Sequence, residues 1–151
     1  MADQKLSPHF MLSEMTVSEY ASRAGFDNIP SQREIDELIK LCNDVLERVR
    51  AEVGRPIIVT SGYRCKAVNT GIGGSKSSQH IKGQAADFTI PKKSNRDVVL
   101  SIVAAGITFD QLIYEFGESG WVHISRSDNP RNEVLEAKLV NGKTKYSSYI
   151  A

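Results

Sequence analysis

Apolar residues recur every three or four positions through Ile35, Leu38, Ile39, Cys42, Leu46 and Val49, the period of a helix that buries one face. Ser31-Gln32-Arg33-Glu34 is a capping box ahead of this run, and Gly54 and Pro56 close it, so a helix over about 32–53 is predicted. Thr16-Val17-Ser18-Glu19 is a second capping pattern, with Gly25 as a stop, and predicts a short helix near 17–24. A third opens at Ser94 to Asp97, continues as a buried helix to about Ala105 and stops at Gly106. Elsewhere the period falls to that of strands. Pro56-Ile57-Ile58-Val59-Thr60 reads as a buried strand, and Gln84 to Ile90 alternates. Gln111–Phe116 and Trp121–Ser125 form a hairpin around Gly117-Glu118-Ser119-Gly120. A further strand is expected over Glu133 to Val140, then a turn at Asn141-Gly142 and a polar tail, whose Tyr146–Tyr149 stretch reads as edge packing or disorder. Ser61 to Ser78, polar and glycine-rich, reads as loop or broken helix.

Helices early and a small, mostly antiparallel sheet later define an α+β class, with helices flanking the sheet in one domain over residues 1–151. At 40% apolar residues and a net charge of +1, the 151-residue chain can bury a core, which excludes disorder as a whole-chain description. Its 19 basic and 18 acidic residues are dispersed and form no stripe that would neutralise phosphates, so nucleic acid is not an expected partner. The longest nearly apolar run, Val98 to Ile107, falls far short of the ~20 residues a bilayer span needs, so no membrane partner is expected either. The segment MADQKLSPHF has no basic stretch followed by an apolar one, and synthesis in the cytoplasm without a signal peptide is expected. Cys42 falls on the helix's apolar face and Cys65 in a turn; both are expected to be free thiols. A monomer is expected.

The three histidines differ in setting. His9, beside Pro8, reads as an exposed loop residue. His80 follows the glycine-rich segment, and Asp87 lies in the middle of an apolar strand, where a carboxylate is costly unless paired or bound to a cation. His123 shares a strand face with Trp121 and Ser125. Two imidazoles and a carboxylate on strand faces suit a three-ligand metal site with an open position. By spacing alone, the histidines could equally be packing residues and Asp87 the partner of a lysine. Gly71-Ile72-Gly73-Gly74-Ser75-Lys76-Ser77 has neither the Gly-Lys-Ser/Thr ending nor the following apolar helix of a phosphate-binding loop.

Ser78-Gln79-His80-Ile81-Lys82-Gly83-Gln84-Ala85-Ala86-Asp87 resembles the S-x-H-x-x-G-x-A-x-D signature of zinc D-Ala-D-Ala carboxypeptidases and related cell-wall peptidases. Trp121-Val122-His123 resembles that family's second motif, and Ser61-Gly62-Tyr63-Arg64 its upstream arginine segment. The likeness runs from about Phe10 to Ser125. The hedgehog signalling domain has a similar metal site, with counterparts of Phe109-Asp110 and Tyr114-Glu115. The resemblance implies a hedgehog/D-Ala-D-Ala-peptidase-like fold and one Zn2+ ion held by His80, Asp87 and His123. Gly83 would let the backbone turn between the first two ligands. Arg64 would meet a developing oxyanion or a substrate carboxylate, counting as catalytic and substrate-binding alike. Ser78 would contact substrate, support the ligands or merely shape the loop.

Some family members place an acid three residues before the last histidine, where this chain has Gly120. Glu115 and Glu118 are the candidate general bases, and the hedgehog-like counterpart favours Glu115. Hairpin parity sets a condition: Glu115 reaches the His123 face only if it pairs with Trp121, across a five-residue loop or a bulge. The implied activity is metal-activated hydrolysis of peptidoglycan stem peptides, as a D-Ala-D-Ala carboxypeptidase or as an L-Ala-D-Glu or cross-bridge endopeptidase. The compact domain resembles a phage lysis enzyme, with release to the wall by a separate route. The alternatives are a non-enzymatic zinc-stabilised binding module and a phage structural component.

Overall fold

The computed structural model describes residues 3–149; Met1, Ala2, Ile150 and Ala151, the ends of the predicted domain, lie outside them. The chain opens with a small antiparallel pair, β1 (Lys5–Ser7) and β2 (Phe10–Met11), and two short helices, α1 (Leu12–Met15) and α2 (Glu19–Ala24). Helix α3 (Gln32–Leu41) passes through a π turn (Cys42–Leu46) into α4 (Glu47–Val53). Next come β3 (Ile58–Ser61), α5 (Lys66–Gly71), a 3-10 turn (Gln79–Lys82) and β4 (Ala85–Thr89). Helix α6 (Asn95–Ala104) leads to β5 (Gln111–Glu115), a second 3-10 turn (Gly117–Ser119) and β6 (Trp121–Ser125). The chain finishes with β7 (Glu133–Val140) and β8 (Lys143–Ser148).

The six-stranded sheet runs β3-β4-β6-β5-β7-β8, and every neighbour is antiparallel except the parallel pair β5–β7. The fold is α+β, as the order of periodicities predicts. Its two sheet faces serve different ends. Ala86, Phe88, Leu112, Val122 and Ile124 point into a core with Leu38, Leu41, Leu46, Val98 and Ile102 from the helices, all fully buried or nearly so. Each of these side chains larger than Ala86 contributes about 1.5–3 kcal/mol relative to exposure. Alternation then places Asp87, Glu115 and His123 on the opposite face.

The serines read as caps perform that role. Ser31 Oγ accepts from the Glu34 amide and Ser94 Oγ from the Asp97 amide, while Gly25 and Gly54 close α2 and α4 in the left-handed conformation. The short helix starts two residues later than predicted, because Ser18 rather than Thr16 accepts from the Ala21 amide.

Two expectations need correction. The run from Pro56 to Thr60 is not a strand buried on both faces: β3 is an edge strand, with Val59 inside and Ile58 51% exposed. The polar tail is also a strand, since residues 143–148 form β8 on the outer side of β7, and of the two readings of Tyr146–Tyr149 edge packing is the one the fold adopts. None of its side chains is buried, so no apolar alternation marks it; the ladder to β7 and the turn hold it there. Asn141 and Gly142 in that turn have φ of 54° and 78°, the geometry favoured for two-residue hairpins. The elements before Glu19 went unpredicted, being only two to four residues long. Among the described residues, no helix is long and apolar enough to cross a membrane.

Candidate metal centre

Asp87 on β4 stands directly opposite His123 on β6, and the two are bonded, Nδ1 to Oδ1 at 2.9 Å. His80 enters from the 3-10 turn, its Nε2 3.4 Å from the same Asp87 oxygen. All three residues are buried, and one donor atom from each lies within 4.8 Å of the others. The His80 Nδ1–H donates to the Gly62 carbonyl at 2.7 Å, which fixes the ring and leaves Nε2 free to face the cluster. Burial alone would raise the Asp87 pKa, but the charges and hydrogen bonds of His80 and His123 outweigh it and hold the carboxyl well below the usual range.

This donor set fits a zinc ion. Ligands bound tetrahedrally at about 2.0–2.1 Å lie about 3.3 Å apart. The His80–Asp87 separation of 3.4 Å already has that value, and the His123–Asp87 pair at 2.9 Å needs only to loosen its hydrogen bond. A lysine partner for Asp87, the bland alternative, is not what the fold provides; Arg64 Nη2 reaches the other carboxylate oxygen at 3.1 Å.

The motif glycines have local reasons. Gly83 follows the 3-10 turn at φ 72°, and a Cβ there would lie 2.5 Å from the Glu34 carbonyl oxygen. The chain thus reverses against α3 between His80 and Asp87. Gly62 packs against the Met15 backbone, where a Cβ would meet the carbonyl oxygen at 2.4 Å. Ser78 caps the 3-10 turn, its Oγ accepting from the His80 amide at 3.2 Å, which makes it a loop-forming hydroxyl at the rim of the cleft.

Arg64 lies in the same cleft. Its Nε donates to Ser61 Oγ at 3.0 Å and its backbone N–H to the His80 carbonyl at 3.1 Å. Asn28 pins this loop by donating to the Tyr63 carbonyl and accepting from the Cys65 amide. No pattern in the sequence marks Asn28.

The hairpin adopts the register that Glu115 requires. Glu115 pairs with Trp121, so its side chain shares the face of His123, with Oε1 3.7 Å from His123 Nδ1. Burial, and then the charge of Asp87, push the Glu115 carboxyl up to about 7, against the opposing pull of His123 and Arg64. Glu118 points elsewhere. It accepts from the Asn95 and Arg96 amides at the start of α6 and from the Tyr114 hydroxyl. Gly120 cannot be an acid in this fold: a Cβ there would lie 1.9 Å from the Glu115 carbonyl oxygen.

The cleft has a volume of about 620 Å³ and also takes in Arg131, Leu135 and Tyr146, which the sequence did not single out. Asp110, buried, holds Arg131 by two guanidinium bonds and accepts from Gln79 at 3.0 Å, tying the His80 turn to β5. Cys42 is a core thiol, pushed up to about 12 by burial, and Cys65 is separate from it; both are free.

A protein-family model described as Peptidase M15 matches residues 8–125, and with that coverage the chain belongs to the Peptidase M15 family. The family is one of metallopeptidases, zinc-dependent in general, and its match covers every residue of the His80–Asp87–His123 group. No curated protein matches the chain.

Proposed function

We propose that this chain is a zinc peptidase that hydrolyses an amide bond in peptidoglycan stem peptides. The observation that carries the reading is the convergence of three buried ligand atoms, the Glu115 carboxyl and the Arg64 guanidinium in one open cleft. When bound at His80, Asp87 and His123, Zn2+ supplies Lewis acidity: it lowers the pKa of a coordinated water to about 7, polarises a carbonyl and draws Glu115 toward its charged form.

The chain's own groups do the rest. Glu115 Oε1 takes a proton from the attacking water as the C–O bond forms, then gives it to the nitrogen that leaves as the C–N bond breaks. Burial beside Asp87 pushes this carboxyl up and the bound cation would pull it back down, opposing influences that suit a group which must both take and give a proton. Arg64, braced by Ser61 and Asp87, offers positive charge to the carbonyl oxygen as it becomes an oxyanion, or to a terminal carboxylate. Terminal D-Ala-D-Ala cleavage and internal L-Ala-D-Glu cleavage both suit a cleft open at its rim, and a phage-type lytic role is in keeping with either.

The test is digestion of purified peptidoglycan by the wild type and His80→Ala, with metal content and released masses measured. Loss of metal and of products together in the variant supports the reading, and the masses name the bond. A zinc-loaded wild type that releases nothing from any wall type would overturn it in favour of a binding module.

A further inference from the structure

Sheet register places four residues in one row across the site face: Trp121, Glu115, Ala137 and Tyr146. The row beside it runs Asp87, His123, Ile113 and Leu135. Between Glu115 and Tyr146 stands only the methyl group of Ala137, itself fully buried. Tyr146 therefore overlooks the Glu115 carboxyl across a low point in the sheet, and both line the cleft. Its side chain is half exposed, and among the described residues its hydroxyl has no hydrogen-bond partner. Leu135, one row over, gives the same wall an apolar surface.

The strand that carries Tyr146 is anchored from behind. Tyr149 stacks on Tyr114 with ring centroids 5.1 Å apart, and its amide donates to the Val134 carbonyl at 3.0 Å. The β7–β8 hairpin lies wholly beyond residues 8–125, the segment shared with the family, so this wall comes from outside the matched region. A phenol on an anchored strand is a neutral donor at pH 7, with a flat apolar ring and two rotatable side-chain bonds to restrain. What a peptidase cleft must hold is a peptide backbone, whose carbonyls are the acceptors such a donor lacks here.

We propose that Tyr146 is a substrate-contacting residue of this cleft, its hydroxyl donating to a backbone carbonyl of the peptide lying between it and Glu115. The inference rests on the peptidase reading above. It assigns the β7–β8 hairpin one wall of the substrate site.

The test is steady-state kinetics of Tyr146→Phe and Tyr146→Ala on a synthetic stem peptide that the wild type cuts. Trp121, the lone tryptophan, lines the cleft, so its fluorescence reports binding of that peptide to Glu115→Gln protein with and without Tyr146→Phe. Loss of the hydroxyl alone is expected to raise KM and Kd about threefold to tenfold, with kcat within about twofold and an unchanged melting temperature. Loss of the ring as well is expected to raise KM about thirtyfold. Wild-type KM and Kd in the Phe variant, beside active wild type, would overturn the hydrogen bond. Wild-type values in both variants would overturn the contact altogether. A wild type that binds and cuts no stem peptide would overturn the peptidase reading, and this inference with it.

Discussion

Gly120 and Glu115 explain each other. The strand end that carries Glu115 turns its carbonyl oxygen onto the Cα of Gly120, leaving no room for a side chain at the position where some family members have an acid. The contact is with backbone, which cannot swing aside. Gly120→Ala is therefore expected to lower the melting temperature by about 3–10 °C, measured by calorimetry. Glu115→Gln keeps the size and loses the proton acceptor. It is expected to bind zinc stoichiometrically and to lose about 100-fold or more in kcat. Full hydrolysis by that variant would remove Glu115 from the mechanism. Glu118→Gln is the contrasting case, with turnover within about twofold of wild type and a lower melting temperature, because its carboxylate serves the α6 N-terminus.

The start of α6 also carries a pH dependence. Burial would raise the Glu118 pKa, but the Tyr114 hydroxyl and the Arg96 and Asn95 amides outweigh it and set it below the ordinary 4.5. A depressed folded-state pKa adds stability above the unfolded value, and that stability is lost as pH falls through the folded one. Wild type should thus lose more stability between pH 5 and pH 3 than Glu118→Gln does, in denaturant melts at each pH. Capping logic made this helix legible, since Ser94, Gly106 and the buried run between them need only local chemistry. The grouping of His80, Asp87 and His123 was legible through the resemblance of residues 78–87 and 121–123 to the family's motifs, since spacing and strand parity left packing roles open. Neither Asn28 nor Tyr146 was legible. Asn28 acts on a loop 35 and 37 residues away, and β8 has no buried face to imprint a period on the sequence. Such residues are placed by register and loop closure, which arise only when the chain has assembled.

Across the whole molecule, the core and the candidate metal site share one sheet, so a metal bound on one face would support the packing on the other. Removing zinc with a chelator is expected to lower the melting temperature. Zinc at about 100 times its Kd adds about 2.7 kcal/mol, or about 5–10 °C for a chain of this size. His80→Ala should melt at one temperature with or without zinc. The two strands that supply Asp87 and His123 are paired on both sides, while β3 and β8 form the sheet's edges. Amide hydrogen exchange should follow that order: β8 protons go first, through fraying, and those of β4 and β6 only when the whole sheet opens. Asp87 and His123, two of the three groups that would hold the metal, thus sit in the strands expected to exchange slowest, while His80 sits on a 3-10 turn outside them. Heat or denaturant would therefore part Asp87 from His123 only in the event that opens the whole sheet, with no folded form that has lost this pair accumulating before it.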